Sequence, residues 1–252
     1  MHRTQYDSDV TVWSPQGRIY QIEYAMEAVK QGSACAAAKS ETHCVIAAFK
    51  RVETQKKIYK IDDQIGVAVS GLNADARNLT HFMKEECLVY KFNNEAHIPV
   101  SRLVLRVADQ AQERTLGEGP RPFGVGLLVA GVDKTGPRIF QADPSGNYTE
   151  YYAQTLGAKS QAVKTYLERH YKKFTNASLP QLIAHVVSAL QASSPDEDLD
   201  ANTLALAHVG IGEQFKEYTP EEVTEILARV KTFNPTTSEF EIDNQNALIA
   251  NQ

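Results

Sequence analysis

Strand and helix patterns come in blocks along this chain of 252 residues, and that block order restricts the possible folds more than any other feature. After a first helix predicted over Ile19 to Gln31, the pattern runs strands, two helices, strands, two helices, a strand and a last helix. A doubly wound parallel sheet alternates single helices with strands, so this order argues against one. We predict an α+β fold in which two stacked antiparallel sheets lie between helix layers.

Short apolar runs bounded by turn residues carry the strand predictions, and apolar residues at helical spacing carry the helix predictions. The first two runs are separated by the polar residues 40–43, which predicts a hairpin. The strands are expected at Ala34–Ala38, Cys44–Phe49, Ile65–Ser70, Gly126–Val132, Arg138–Ala142, Tyr148–Tyr152 and Leu204–Val209, and the helical faces at Leu79–Tyr90, Val104–Ala111, Val163–His170, Leu182–Leu190 and Val223–Val230.

Composition and charge argue against several classes of protein. No apolar run approaches the ~20 residues of a membrane-spanning helix, and the polar, acidic start of the chain differs from a signal peptide. The net charge of −5 is mixed along the chain, which argues against a nucleic-acid partner. Cys35, Cys44 and Cys87 lack metal-ligand spacing, and the histidines form no metal motif. We therefore expect an intracellular protein that binds no membrane, nucleic acid or metal.

Residues Tyr6 to Ala28 hold the most specific motif of the chain. It reads Tyr6-Asp7, then Thr11-Val-Trp-Ser-Pro-Gln-Gly-Arg18, then Gln21-Ile-Glu-Tyr-Ala25. At every defining position, this segment resembles the N-terminal signature of the alpha subunits of the 20S proteasome. Residues 71–77, 121–127 and 157–169 are similar to further segments of that family, so the resemblance covers residues 4 to 232. Within the family, residues 26–33 and 164–170 are most similar to the eukaryotic alpha type-1 branch.

The resemblance implies the four-layer αββα sandwich of the N-terminal-nucleophile hydrolases, in agreement with the block order. It divides the chain into an N-terminal gate tail and turn (residues 1–17), an alpha-type domain (residues 18–233) and a C-terminal tail (residues 234–252). The C-terminal tail is polar and weakly patterned, so we expect it to be mobile.

The resemblance also implies a structural and gating function rather than catalysis. In the family, alpha chains form a ring that stacks on a ring of beta chains, and the assembly degrades proteins in a ubiquitin- and ATP-linked manner in the cytoplasm and nucleus. No cofactor is expected. Tyr6, Asp7, Pro15 and Tyr24 match the cluster that orders the open gate at the pore. The alternative interpretation is that these four residues only cap and anchor the first helix.

Lys57, Gly71 and Leu72 match a pocket between adjacent alpha chains, where the C-terminal tails of activators dock in family members. A lysine suits the capture of a terminal carboxylate, and a glycine allows close backbone approach. The alternative for Lys57 is a surface lysine in the run Lys56-Lys57. The expected partners are neighbouring alpha chains, beta chains, and the regulatory particle or other activators.

Ser33 lies where the catalytic relatives carry their N-terminal nucleophile, so an independent serine- or threonine-type hydrolase is the alternative function. Freeing Ser33 would require cleavage after Gly32 and would remove the N-terminal motif. Lys57 matches the catalytic lysine of those relatives, but Phe49 stands at the position of their carboxylate. We therefore expect no catalysis by this chain. A free-standing binding module is a third possibility, and such a module would remain monomeric.

Overall fold

The structure is a computed structural model that describes residues 6–117, 119–194 and 199–240. The acidic run at 196–198, the first residues of the predicted gate tail (1–5) and the last part of the C-terminal tail (241–252) lie outside the described residues. No helix in the described ranges combines the length and apolarity needed to cross a membrane. The elements are α1 (Tyr20–Gln31), β1 (Cys35–Lys39), β2 (His43–Phe49), β3 (Ile58–Asp62), β4 (Ile65–Gly71), α2 (Asn73–Asn94), α3 (Val100–Leu116), β5 (Val125–Asp133), β6 (Gly136–Ala142), β7 (Tyr148–Glu150), β8 (Ala153–Leu156), α4 (Ser160–Phe174), α5 (Leu179–Gln191), β9 (Leu204–Gly210), β10 (Lys216–Glu217), α6 (Pro220–Val230), β11 (Phe233–Asn234) and β12 (Glu239–Phe240).

Two five-stranded sheets form the centre of the described chain. Sheet 1 has the strand order β10-β9-β2-β1-β8, and sheet 2 has the order β3-β4-β5-β6-β7. All neighbouring strands in both sheets are antiparallel. β1 and β2 form the predicted hairpin, in which Ala37 lies opposite Ile46. The prediction of antiparallel sheets is confirmed.

Helices cover the outer face of each sheet, and the two sheets pack on each other. α4 and α5 pack on sheet 1, whereas α2 and α3 pack on sheet 2. In strand β2, Val45 and Ala47 belong to the core beneath α4 and α5, and Cys44, Ile46 and Ala48 belong to the core between the sheets. A strand buried on both faces reads as a continuous apolar run, which is why this segment lacks polar alternation. The αββα prediction is confirmed.

Two features of the sheets differ from the sequence predictions. The single strand expected over Tyr148–Tyr152 is wrong, because β7 ends at Glu150 in sheet 2 and β8 begins at Ala153 in sheet 1. The chain changes sheets between these strands, and local composition carries no information about which sheet a segment joins. The sequence patterns also do not predict β3, since Lys60 and Asp62 interrupt its apolar residues.

The start of the predicted C-terminal tail is packed against the domain. β11 and β12 pair with Phe233 opposite Phe240, and the two ring centroids are 5.1 Å apart. Lys173 Nζ on α4 donates a hydrogen bond to the carbonyl of Pro235 at 2.8 Å. Gln181 Nε2 on α5 donates to the carbonyl of Ser238 at 2.8 Å. The residues as far as Phe240 therefore form a hairpin fastened to α4 and α5.

Helix α1 packs on β4 and β5 and ends next to the last residues of β4. Ser70 Oγ donates to the carbonyl of Val29 at 2.9 Å and to that of Ser33 at 3.3 Å. Gly32 ends the helix in an extended conformation with φ −63°, so it is not a left-handed C′ residue. A Cβ at Gly32 would lie 2.4 Å from the backbone N of Gly71. Close packing of α1 on β4 is thus the reason for a glycine here.

Candidate functional site

A tight turn at Ser14–Gly17 connects the N-terminal segment to α1. Gly17 N donates to the carbonyl of Ser14 at 2.9 Å, which closes a turn with Pro15 at its second position. Proline presets the backbone at that position, and Gly17 supplies a positive φ of +75°. Arg18 N also donates to Ser14 Oγ at 3.1 Å. The turn predicted from Pro15 and Gly17 is confirmed.

Asp7 and Tyr24 are in direct contact, although 17 positions separate them along the chain. Tyr24 OH donates a hydrogen bond to Asp7 Oδ2 at 2.9 Å. Gln21, on the same face of α1, donates from its side-chain amide to the carbonyl of Asp7. Pro15 is exposed in the turn, and Tyr6 is half-buried without a side-chain hydrogen bond to other described residues. The structure therefore brings Asp7 and Tyr24 together and places Pro15 in the turn that leads to them.

Lys57, Gly71 and Leu72 line one pocket of about 360 Å³. This volume lies at the lower end of the usual range for small-ligand sites. The end of α1, the segment after β2 and the end of β4 supply the walls. The other lining residues are Ala28, Gln31, Gly32, Ser33, Arg51, Gln55 and Asn73.

Lys57 is a buried side chain, with only 1% of its surface exposed. Burial lowers the pKa of Lys57 because it penalises the charged form, and the positive charge of Arg51 lowers it further, against an opposing effect of Cys35. Within the described ranges, no carboxylate forms an ion pair or hydrogen bond with its ammonium. The interpretation of Lys57 as a plain surface lysine is therefore wrong. A buried ammonium without a counter-ion would be stabilised by an anion in the pocket.

Gly71 and Leu72 are held in place by the segment at Gly124. Gly71 has a φ of +123°, and a Cβ there would lie 2.1 Å from the carbonyl oxygen of Gly124. Leu72 N donates to the same oxygen at 2.9 Å. Asp75 stabilises the position of Gly124. Its carboxylate accepts hydrogen bonds from Arg121 Nη1 at 2.6 Å and from Gly124 N at 2.8 Å. Burial raises the pKa of Asp75, but these hydrogen bonds outweigh burial and hold it below its usual value.

Ser33 is enclosed within the chain. Its Oγ is buried and has no hydrogen-bond partner among the residues that the structure describes. The carbonyl of the preceding residue, Gly32, accepts a hydrogen bond from Ala158 N at 2.7 Å. This bond holds the peptide group that links Gly32 to Ser33. Phe49, opposite this segment, donates its backbone N–H to the carbonyl of Ala34 at 2.8 Å and brings no carboxylate. An N-terminal nucleophile would require cutting this packed segment and releasing α1.

Sequence reasoning missed two residues of these sites. Gln21 lies three positions before Tyr24, and this helical spacing is a signal that could have identified it as a second contact to Asp7. Arg51 follows β2 in an irregular segment and has no such signal. Its Nη2 donates to the carbonyl of Gln31 at 2.6 Å, a contact that arises because the fold brings the segment after β2 to the end of α1.

Two family models match the chain. A model described as "Proteasome subunit" matches residues 29–209, and a model of the N-terminal signature of A-type proteasome subunits matches residues 6–28. The second match contains the Asp7–Tyr24 contact. The first contains Lys57, Gly71 and Leu72.

Several proteins of known family are similar to the chain over most of its length. The proteasome alpha type-1 subunit of Dictyostelium discoideum is 48% identical over 223 residues, which cover 86% of this chain and 90% of the relative. The proteasome alpha type-1 subunit of Caenorhabditis elegans is 42% identical over 243 residues, or 94% of each chain. A probable proteasome alpha type-6 subunit of Schizosaccharomyces pombe is 41% identical over 244 residues, which cover 94% of this chain and 90% of the relative.

Proposed function

The chain belongs to the proteasome subunit family as an alpha-type subunit of the 20S core, and from this membership we propose that it is a non-catalytic ring component that takes part in pore gating and activator docking. Membership of this family implies assembly with other proteasome subunits. In the proposed role, the chain lies between neighbouring alpha chains above a beta ring. It supports ubiquitin- and ATP-linked protein degradation in the cytoplasm and nucleus.

The fastening of the N-terminal segment to α1 is the observation that carries this proposal. Tyr24 and Gln21 hold Asp7, and the turn at Pro15 joins that segment to the helix. An N-terminal-nucleophile hydrolase would have to discard this segment to free Ser33. An alpha chain retains it, because its N-terminal segment acts at the pore.

The kind of contact that holds the segment supports the proposed gating role. The Tyr24–Asp7 hydrogen bond is exposed, and one such bond contributes about 1 kcal/mol. A segment held by a few bonds of this size can exchange between ordered and disordered states, which is a common form of molecular switch. We assign Tyr6, Asp7, Pro15 and Tyr24 to the ordered state of the gate.

The pocket around Lys57 supports the proposed docking of activators. Its buried ammonium has no carboxylate partner among the described residues, and a terminal carboxylate would supply one. Gly71 and Leu72 form the wall beside it. Capture of a C-terminal carboxylate is an established mode of peptide recognition, and it suits a pocket of this size and charge.

Native mass spectrometry of the chain purified gently from its source tests the proposal. The expected result is a large assembly of alpha and beta chains, in which this chain still carries Tyr6 and the residues after it. A small oligomer whose chain begins at Ser33 would instead make the hydrolase the leading hypothesis. An intact monomer would favour the free-standing binding module.

Replacing Tyr24 by phenylalanine tests the gate assignment. The change removes the hydrogen bond to Asp7 and keeps the ring, so the ordered state should lose about 1 kcal/mol. We expect activator-stimulated hydrolysis of a small fluorogenic peptide to fall by up to about fivefold in particles that contain the variant. Tyr171→Phe is the matched control, because Tyr171 is an exposed tyrosine on α4, far from the gate cluster in sequence. Equal rates for the two variants would contradict the assignment.

A further inference from the structure

The pocket around Lys57 contains two positive side chains and no negative one among its described lining residues. Lys57 and Arg51 are the charged members, and the remaining side chains are neutral. The two cations lie at different depths, since Lys57 is buried and Arg51 is exposed. A terminal carboxylate carries one negative charge, so it leaves one of the two positive charges uncompensated.

Arg51 is held in position and still has free donors. Its backbone N–H donates to Gln55 Oε1 at 3.0 Å, and its Nη2 donates to the carbonyl of Gln31 at 2.6 Å. A guanidinium has five N–H donors in a fixed fork, and this contact uses one of them. Its remaining guanidinium donors have no acceptor in the part of the chain that the structure describes. The arginine is therefore anchored on one side and available to a carboxylate on the other.

The positive charge of Arg51 also disfavours the charged form of Lys57. Burial lowers the pKa of Lys57, and the charge of Arg51 adds to that effect. An anion that binds only Lys57 leaves the charge of Arg51 in place. An anion that bridges both groups removes the repulsion and supplies hydrogen bonds to both.

We propose that this pocket selects polypeptide C-termini whose last residue is aspartate or glutamate. The terminal carboxylate binds the Lys57 ammonium at the base of the pocket, and the side-chain carboxylate binds the Arg51 guanidinium at the rim. This inference rests on the proposed docking function and adds a chemical preference to it. Arg51 is the residue that determines specificity.

Photoaffinity labelling of assembled particles measures peptide binding at this chain separately from binding at the other alpha chains. Two peptides of identical sequence carry the same photoreactive group and end in Asp or in Asn, which differ in charge but hardly in shape. Mass spectrometry then measures the labelling of this chain as a function of peptide concentration. Particles contain the wild-type chain, Arg51→Gln or Lys57→Met, the last of which retains most of the buried aliphatic stem.

In wild-type particles, we expect the Asp peptide to half-saturate labelling at a concentration about tenfold lower than the Asn peptide, as for one charge-assisted contact. The preference for the Asp peptide should fall below about twofold in Arg51→Gln. In Lys57→Met, the half-saturating concentration of both peptides should rise about tenfold or more. Raising the salt concentration should reduce the preference in the wild type as well, which tests the charge contact without any substitution.

The outcomes separate the two levels of the proposal. If Lys57→Met weakens both peptides but the wild type binds them equally, the pocket accepts tails and the selectivity for acidic termini is wrong. A preference that persists unchanged in Arg51→Gln also overturns it. If labelling is insensitive to Lys57→Met and to amidation of the peptide terminus, the docking function itself is wrong.

Discussion

Replacing Gly71 by alanine is expected to lower the free energy of unfolding by about 4 kcal/mol. The residue has a φ of +123°, a conformation that costs an L-residue about 1–2 kcal/mol. A Cβ would also lie 2.1 Å from the carbonyl oxygen of Gly124, which is rigid backbone and accepts the N–H of Leu72. The clash must therefore move the wall of the pocket beside Lys57. Denaturant unfolding of the purified chain measures the loss.

Gly136→Ala is the matched control for this substitution. Gly136 also has a positive φ, of +101°, but a Cβ there meets nothing within 4 Å. We expect this control to lose only about 1–2 kcal/mol, the cost of the backbone conformation. Equal losses for the two variants would mean that the close approach to Gly124 does not determine the need for glycine at position 71.

Acidification is expected to destabilise the chain through His185. Burial, and then the charges of His170 and Lys173, lower the pKa of His185 from about 6.5 to about 4. The unfolded chain binds a proton at His185 near pH 6.5, whereas the folded chain does so only near pH 4. The contribution of the neutral His185 ring to the free energy of unfolding is thus fully present above pH 6.5, and it is lost as the pH falls through 4. The full loss is about 3 kcal/mol.

The surroundings of His185 explain why its proton is excluded. The ring lies between α4 and the C-terminal hairpin, with Nδ1 at 3.2 Å from Tyr166 OH and Nε2 at 3.1 Å from Ser238 Oγ. The Phe233 ring packs edge-on against it, with centroids 4.8 Å apart. These partners satisfy the neutral imidazole without supplying a negative charge. Protonation therefore places an unpaired charge beneath the hairpin.

Denaturant unfolding at pH 7 and pH 4.5 measures this effect. We expect His185→Gln to lose less stability between these pH values than the wild type, by about 2 kcal/mol. His81→Gln is the control for the loss of an imidazole, because His81 lies exposed on α2. A His185 variant with the wild-type pH dependence would contradict the assignment. Carboxylates titrate in the same range in all three chains, so only the differences between them are informative.

Local patterns predict the architecture because the apolar residues of each element show which of its faces are buried. Strands covered on both faces, such as β2, are continuous apolar runs, and helices show apolar residues at i, i+3, i+4 and i+7. The order of these blocks was sufficient to predict stacked antiparallel sheets between helix layers. Local patterns did not predict the change of sheet between β7 and β8 or the hairpin of β11 and β12. Those features depend on partners that are distant in sequence.

The sequence likewise predicted some features of the candidate site, and only the tertiary structure showed the others. Its N-terminal motif is a compact run of specific residues, and the sequence by itself determined the family and the turn at Pro15. It also suggested the members of both candidate clusters apart from Gln21 and Arg51. Only the tertiary structure decided that Asp7 meets Tyr24, that Lys57 is buried, and that Arg51 stands beside it. The physical reason is the range of the contacts. Hydrophobic periodicity records which side of an element is buried, whereas a pocket depends on which elements meet, and that is settled by packing across the whole chain.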